Sequence, residues 1–204
     1  MDNRVDFVET WLTEMPYASG PVNAYNEFVH NLKDRLSDGS KINILQSGLH
    51  TVGGQVSYYW YEDNGVITLG TELYKRDQGL VINITGKNPD YTGKPPYASD
   101  LYNEILNLTH RSIRLFSDAQ LSDDGLKIWK KLFNLGNKVS IYDKTNPGNT
   151  FKTFNDIEEL ESYMGTDFNK FTKFQYVLSE YGECLAETRS NFNTRRYREL
   201  SGLL

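Results

Sequence analysis

The stretch VINITGKNPDYTGKPPYASDLY, residues 81–102, decides how this chain is read. It opens on Val81-Ile82-Asn83-Ile84, continues through Gly86, Pro89, Gly93, Pro95 and Pro96, and closes on Leu101-Tyr102. Three prolines and two glycines between 86 and 96 bar a helix, because proline lacks the amide hydrogen a helix uses and clashes with the turn before it. Ser99 or a neighbour then caps a helix carrying Leu101, Tyr102, Ile105, Leu106 and Leu108. The segment therefore predicts a buried strand, a Gly/Pro turn and a helix start.

Upstream the pattern is β. Residues 56–62 are aromatic-rich, Asp63-Asn64-Gly65 signals a turn, and residues 66–74 alternate beyond it. Asp77-Gln78-Gly79 makes a second turn before Leu80 to Ile84, giving a three-stranded antiparallel meander. Tyr58 and Trp60 fall on one face of the first strand, Tyr59 and Tyr61 on the other. One of those faces is expected in the core and the other in a ligand groove or protein contact. Before the meander, Val22, Tyr25, Phe28, Val29, Leu32 and Leu36 recur at helical spacing over residues 21–36, and Ser37-Asp38-Gly39-Ser40 ends that helix. Ile42, Ile44 and Leu45 open a strand. A short helix is expected around Phe7, Val8, Trp11 and Leu12.

Downstream, elements alternate. A strand is expected over 112–116, and a helix capped by Ser122-Asp123-Asp124 holds Leu126, Ile128, Trp129, Leu132 and Phe133 before Leu135-Gly136. Strand 139–142, a loop to Thr150, a short helix over Ile157, Leu160 and Tyr163, and strand 174–178 follow. This order predicts an α/β (α+β) domain over residues 1–204: a mixed central sheet with an antiparallel meander and helices on both faces. Residues 1–20 are expected to form a helical extension and 182–204 a helical tail. The helix–strand pairs after the meander are expected to run parallel to its last strand.

The 204 residues suffice for one covered core, and 14 Tyr and 10 Phe supply the burial a disordered chain lacks. The net charge of -5 argues against a general nucleic-acid binder, which needs a basic surface. Arg189, Arg195, Arg196 and Arg198 form one basic run, read as a solvated face or a contact for an acidic partner. Cys184 is the single cysteine, so no disulfide forms within the chain. With no leader-like opening and no long apolar run, a cytoplasmic protein without membrane contact is expected. His30, His50 and His110 are too scattered for a metal site, and no nucleophile elbow, Walker loop or dinucleotide fingerprint is present.

The element order over roughly residues 43–180, with the turn, resembles the GCN5-related N-acetyltransferase (GNAT) superfamily, which moves an acyl group from acyl-CoA to an amine. Val81-Ile82-Asn83-Ile84 is similar to the family's central strand, whose backbone faces pantetheine and acyl group. Residues 92–101 are similar to its Arg/Gln-x-x-Gly-x-Gly/Ala turn and helix start, and residues 124–136 to a later helix. GKPPYASDLY together with SDAQLSDDGLKIWKKL is also similar to GNAT-like proteins of bacteriophages. The resemblance implies acetyl-CoA or another acyl-CoA as cofactor. Ile82 and Ile84 would lie along pantetheine, with Gly93, Lys94, Tyr97, Ala98 and Ser99 around pyrophosphate, where a helix N-terminus offers amide donors. It also implies an amine-bearing small molecule or protein as acceptor. Pro95 stands where the family has its second glycine, Pro96 follows, and one residue is inserted. Trp129 stands where many members carry a Tyr that protonates the thiolate, and indole is no acid at neutral pH.

Acyl transfer needs a base for the amine. Glu72, beside the central strand, and Asp118, after the following one, are the candidates, and Tyr142 is the candidate acid. Their ordinary readings are a solvated strand residue, a turn former and a core aromatic. Two functions stay open: an N-acyltransferase, or a catalytically degenerate GNAT-fold binding or structural protein. The second would act on a host or virion partner, in the host cytoplasm for a viral product, or would pair as a homodimer.

Overall fold

The computed structural model describes residues 21–77, 79–109, 113–118, 122–145, 152–154, 156–163 and 173–181. The expected helices over 1–20 and 182–204, and the arginine run, lie outside them. Within them nine strands form one mixed sheet: β1 (Asn43–Ile44), β2 (His50–Val52), β3 (Val56–Asp63), β4 (Val66–Arg76), β5 (Gly79–Lys87), β6 (Arg114–Phe116), β7 (Asn137–Asp143), β8 (Lys152–Thr153) and β9 (Phe174–Tyr181). Four α-helices accompany it: α1 (Pro21–Ser37), α2 (Ala98–Leu108), α3 (Asp123–Asn134) and α4 (Ile157–Tyr163). The strand order is β1-β2-β3-β4-β5-β6-β9-β7-β8.

The meander forms where the turn residues require it. Asn64 and Gly65 take φ of 50° and 78°, the left-handed pair of a two-residue hairpin that Asn-Gly adopts at little cost. Between the meander and α2, the Gly/Pro segment holds no α-helix, but Pro89–Tyr91 makes a single 3-10 turn that Asn88 caps by accepting from the Asp90 amide at 3.0 Å. Tyr97, rather than Ser99, occupies the N-cap of α2. Ser122 caps α3 as expected, its hydroxyl accepting from the Gly125 amide at 3.1 Å. Gly136 leaves that helix at φ 81°. The short strands β2 and β8 carry too few residues to show a period and were not expected.

Strand β6 pairs parallel to β5, and β9 enters antiparallel between β6 and β7. Two antiparallel pairings in succession return β7 to the direction of β5. The helix–strand pairs ending in β6 and β7 thus run as expected. The pair ending in β9 does not, because β9 fills the slot between two strands that already share a direction.

Helices cover both faces. On one, α1 lays Phe28 and Leu32 over Val52, Tyr58 and Trp60, all nearly inaccessible. On the other, Leu101, Tyr102 and Ile105 of α2, Trp129 and Leu132 of α3 and Leu160 of α4 join Leu80, Ile82, Leu115, Val139 and Leu178 in the larger core. Tyr59 and Tyr61 pack against that core too, so both faces of the aromatic strand are interior. Among the described residues no helix is long and apolar enough to cross a membrane.

Two glycines set how close α1 comes. A Cβ on Gly70 would stand 2.1 Å from the Phe28 ring, and one on Gly86 would stand 2.5 Å from Tyr25 Cα and 2.8 Å from the Ala24 oxygen. The Tyr25 hydroxyl then donates to the Ile67 carbonyl at 2.9 Å and accepts from the Asn88 amide at 3.1 Å, which pins the helix start. Backbone atoms cannot rotate aside, so Gly86→Ala must lift α1, costing about 1–3 kcal/mol in the manner of an overpacked core. Urea unfolding of Gly86→Ala should show a lower midpoint, whereas Gly53→Ala, with nothing within 4 Å, should match the parent. Equal midpoints for all three proteins would mean that α1 does not rest on Gly86.

Candidate functional site

The central strand does not alternate throughout. Leu73 pairs with Ile82 and Glu72 with Ile84, so Asn83 is an extra residue and β5 bulges there. The bulge turns Ile84 toward the α1 cluster while Ile82 stays in the opposite core. Alternation places these two residues on one face; the structure places them on opposite faces.

Glu72 lies beside the bulge on the α1 face and is 2 % exposed. Sequence expectation as a solvated residue is therefore corrected: the carboxylate is a buried group. Its two oxygens accept from Asn31 of α1 at 2.9 Å and from Asn83 at 2.7 Å. Burial raises the pKa of the Tyr58 phenol to about 12, with the Glu72 charge adding to it, and the same two causes raise Tyr74. Asn31, Tyr58, Glu72 and Tyr74 line a cleft of about 580 Å³ between the C-terminal half of α1 and strands β3 and β4. Asp34, Asp38 and Arg35 stand at its side, and the Arg35 guanidinium donates to the Gly53 carbonyl at 3.2 Å.

The second feature is the edge of β5 beyond its pairing with β6. The β5–β6 pairing runs Gly79–Arg114, Leu80–Leu115 and Val81–Phe116 and stops there. Residues 82–87 continue beyond it, paired to β4 alone among the described residues. Among the described residues this edge of 82–87 is unpaired, and the chain leaves the end of β5 directly into the turn that starts α2. In this turn Gly93 has φ 75°, and its carbonyl accepts from the Tyr97 hydroxyl at 3.1 Å. Lys94 is exposed and donates to the Asp90 carbonyl at 3.3 Å. Lys87 holds the turn from below: its ammonium donates to the carbonyls of Lys94 at 2.9 Å and Pro96 at 2.5 Å, and desolvation lowers its pKa. The Asp100 carboxylate accepts from the Tyr97 amide at 3.2 Å. Ala98 is half-buried, and Ser99 is 1 % exposed with a hydroxyl that has no partner among the described residues.

The three candidate catalytic residues do not converge. Tyr142, on β7, is half-buried and packs edge-on against Phe116 with ring centroids 5.9 Å apart. Four strand spacings of about 4.8 Å separate β7 from β4, so Tyr142 and Glu72 stand on the order of 19 Å apart. Asp118 follows β6, half-buried, and its charge reaches Tyr102 and Lys144. Trp129 is 1 % exposed and tilts against Tyr176 in the core.

Sequence reading passed over Asn31, Asn83 and Lys87. The signal for the first was present, since Glu27, Asn31, Asp34 and Asp38 recur at the spacing of one helix face. Asn83 and Lys87 gain their roles only from the bulge and the fold of the turn. Compared with known proteins, the chain matches no family model, no curated protein and no solved structure.

The raised pKa of Tyr58 has a consequence in alkali. The neutral phenol is favoured in the folded state, so its contribution is complete below pH 10 and is lost as pH rises towards 12. Urea midpoints between pH 9 and 12 should fall less steeply for Tyr58→Phe than for the parent. Parallel curves would show that this phenol is not held against Glu72.

Proposed function

We propose that this chain is a GNAT-like N-acyltransferase that moves an acetyl or other acyl group from acyl-CoA to an amine. The observation that carries the reading is the edge of β5 over residues 82–87, unpaired among the described residues. An unpaired strand edge inside a sheet is a template for an extended amide-bearing ligand, as in strand addition, and pantetheine has that form. Ligands of open α/β sheets also collect beyond the carboxyl ends of strands, next to helix starts. Here β5, the turn at Gly93 and Lys94, and the first amides of α2 follow one another in that order.

In this reading Ile82 and Ile84 flank the bulge where the acyl group would lie, and Gly93, Lys94, Tyr97, Ala98 and Ser99 surround pyrophosphate. The amine nitrogen attacks the acyl carbonyl, the thiolate leaves, and the amine proton passes to a carboxylate. Glu72 is the nearer base because it pairs across from the bulge; Asp118 follows β6 and Tyr142 lies on β7, both beyond the other edge of β5. The cofactor would supply the activated thioester, and this chain would supply orientation and the proton acceptor.

One observation favours the second reading, a GNAT-fold binding protein without catalysis. Pro95 and Pro96 contribute no amide donors, and Asp100 puts a carboxylate against the start of α2. A like charge there weakens an anion site. In that case a protein partner replaces the acyl acceptor, a host or virion protein if the chain is of phage origin.

A thermal-shift titration separates the two. Saturating acetyl-CoA should raise Tm by several degrees through mass action. Gly93→Asp should abolish the rise with the fold intact, since Gly93 has no neighbour within 4 Å of a Cβ and Asp tolerates positive φ better than most residues. No shift at millimolar acetyl-CoA would overturn the acyltransferase reading.

A further inference from the structure

An open sheet ends in two edge strands, and an edge offers its unpaired amides and carbonyls to any chain that can extend it. Among the described residues those edges are β8 and β1. On β8 a charge stands guard: Lys152 is exposed and pairs with Glu159 at 2.6 Å. β1 itself carries no charge. Ile44 is 65 % exposed and the adjoining Ile42 is 40 % exposed.

The same two positions direct their backbone outward. The Leu45 amide donates to the Leu49 carbonyl at 2.9 Å, and Asn43 pairs with Thr51 in the same register, so both turn their backbone groups to β2. Ile44, between them, turns its N–H and C=O away from β2, and alternation carries Ile42 the same way. Ile44 also pairs with His50, which stacks on Trp60, so its side chain lies on the α1 face of the sheet. Ile42 follows it there at a period of two. Free backbone groups and exposed apolar side chains thus coincide.

This edge is its own complement. A second copy related by a two-fold axis at Asn43 sets Ile42 of each chain against Ile44 of the other, and Lys41 against Leu45. The Ile42–Ile44 pairs then exchange backbone hydrogen bonds, and the isoleucines of both copies gather on one face. The charges agree with that register. After Leu45 comes a turn closed by the Gly48 amide on the Leu45 carbonyl at 2.9 Å. Ser47 in that turn donates to the Glu104 carboxylate of α2, which also accepts from the Tyr61 hydroxyl. Among the described residues neither Glu104 nor the exposed Lys41 has an ion-pair partner. Lys41 shares the face of Leu45, the α2 side, so each Lys41 arrives beside the other copy's Glu104.

We infer that this chain pairs with a second copy of itself through β1, antiparallel about Asn43, joining the two sheets into one. The edge from Lys41 to Leu45 is far shorter than the roughly 20–30 residues a side of a stable interface, so the dimer is weak and forms with rising concentration. The inference goes beyond the acyltransferase reading and does not rest on it.

Sedimentation velocity from micromolar to near-millimolar chain should show a weight-average coefficient that climbs from the monomer value towards that of a dimer. Ile44→Lys, a change at an exposed position, should leave Tm unchanged and keep the chain monomeric throughout. Lys41→Glu should weaken pairing several-fold, because it sets a second carboxylate beside Glu104. In a Cys184→Ser background, Asn43→Cys should link two chains on mild oxidation, since facing positions of a non-hydrogen-bonded pair stand about 4.5 Å apart at Cα. Ile44→Cys, which the axis sets diagonally from its own copy, should not. A chain that stays monomeric to near-millimolar concentration overturns the inference. So does a dimer that Ile44→Lys leaves intact or that Asn43→Cys fails to link.

Discussion

The extra residue that Asn83 inserts into β5 governs which side chains meet which helix. Before it, Leu80 and Ile82 face the core built by α2, α3 and α4. After it, Ile84 faces α1, while Thr85 returns to the opposite side, where its hydroxyl pairs with that of Tyr102 at 2.6 Å. Gly86 can then lie under the backbone of α1 at Tyr25. Without the bulge, Gly86 would present its other face and α1 would lose its closest seat. The same bulge sets Asn83 against Glu72, so the packing of the helix and the polarity of the cleft have one origin.

Strong local signals carried much of this architecture. The Asn-Gly turn, the period of α1 and the Ser122 cap each depend on contacts within a few residues, and each appears where expected. The bulge is different in kind. It follows from how β4 and β5 align over their whole length, and alternation alone places Ile82 and Ile84 together. The direction of β9 is likewise a property of strand neighbours far apart in sequence, Phe116 with Val177 and Ser140 with Val177.

The candidate site was legible to a similar depth. Glu72 was visible as a carboxylate beside the central strand, but its burial arises from α1, 41 positions away through Asn31. Gly93 and Lys94 were visible as a turn, but Lys87, which fixes the turn's carbonyls, was not, because its role depends on the path of the chain through Pro96. Tyr142 looked like a partner for Glu72 only while the separation of their strands was unknown.

The polar choices at interior positions bear most directly on function. At position 72 an apolar residue would bury beside Tyr58 and Ile84 without the cost of desolvating a charge, and such replacements are often neutral or stabilising. The chain instead places a carboxylate there, positions two amides to hold it, and lines the adjoining helix with further acids. At the other end of β5 the balance is reversed: Lys87 is drawn under the turn against desolvation, and Asp100 occupies the helix start. Among the described residues, the buried carboxylate held by neutral donors alone is therefore in the α1 cleft, and the desolvated ammonium is at the turn.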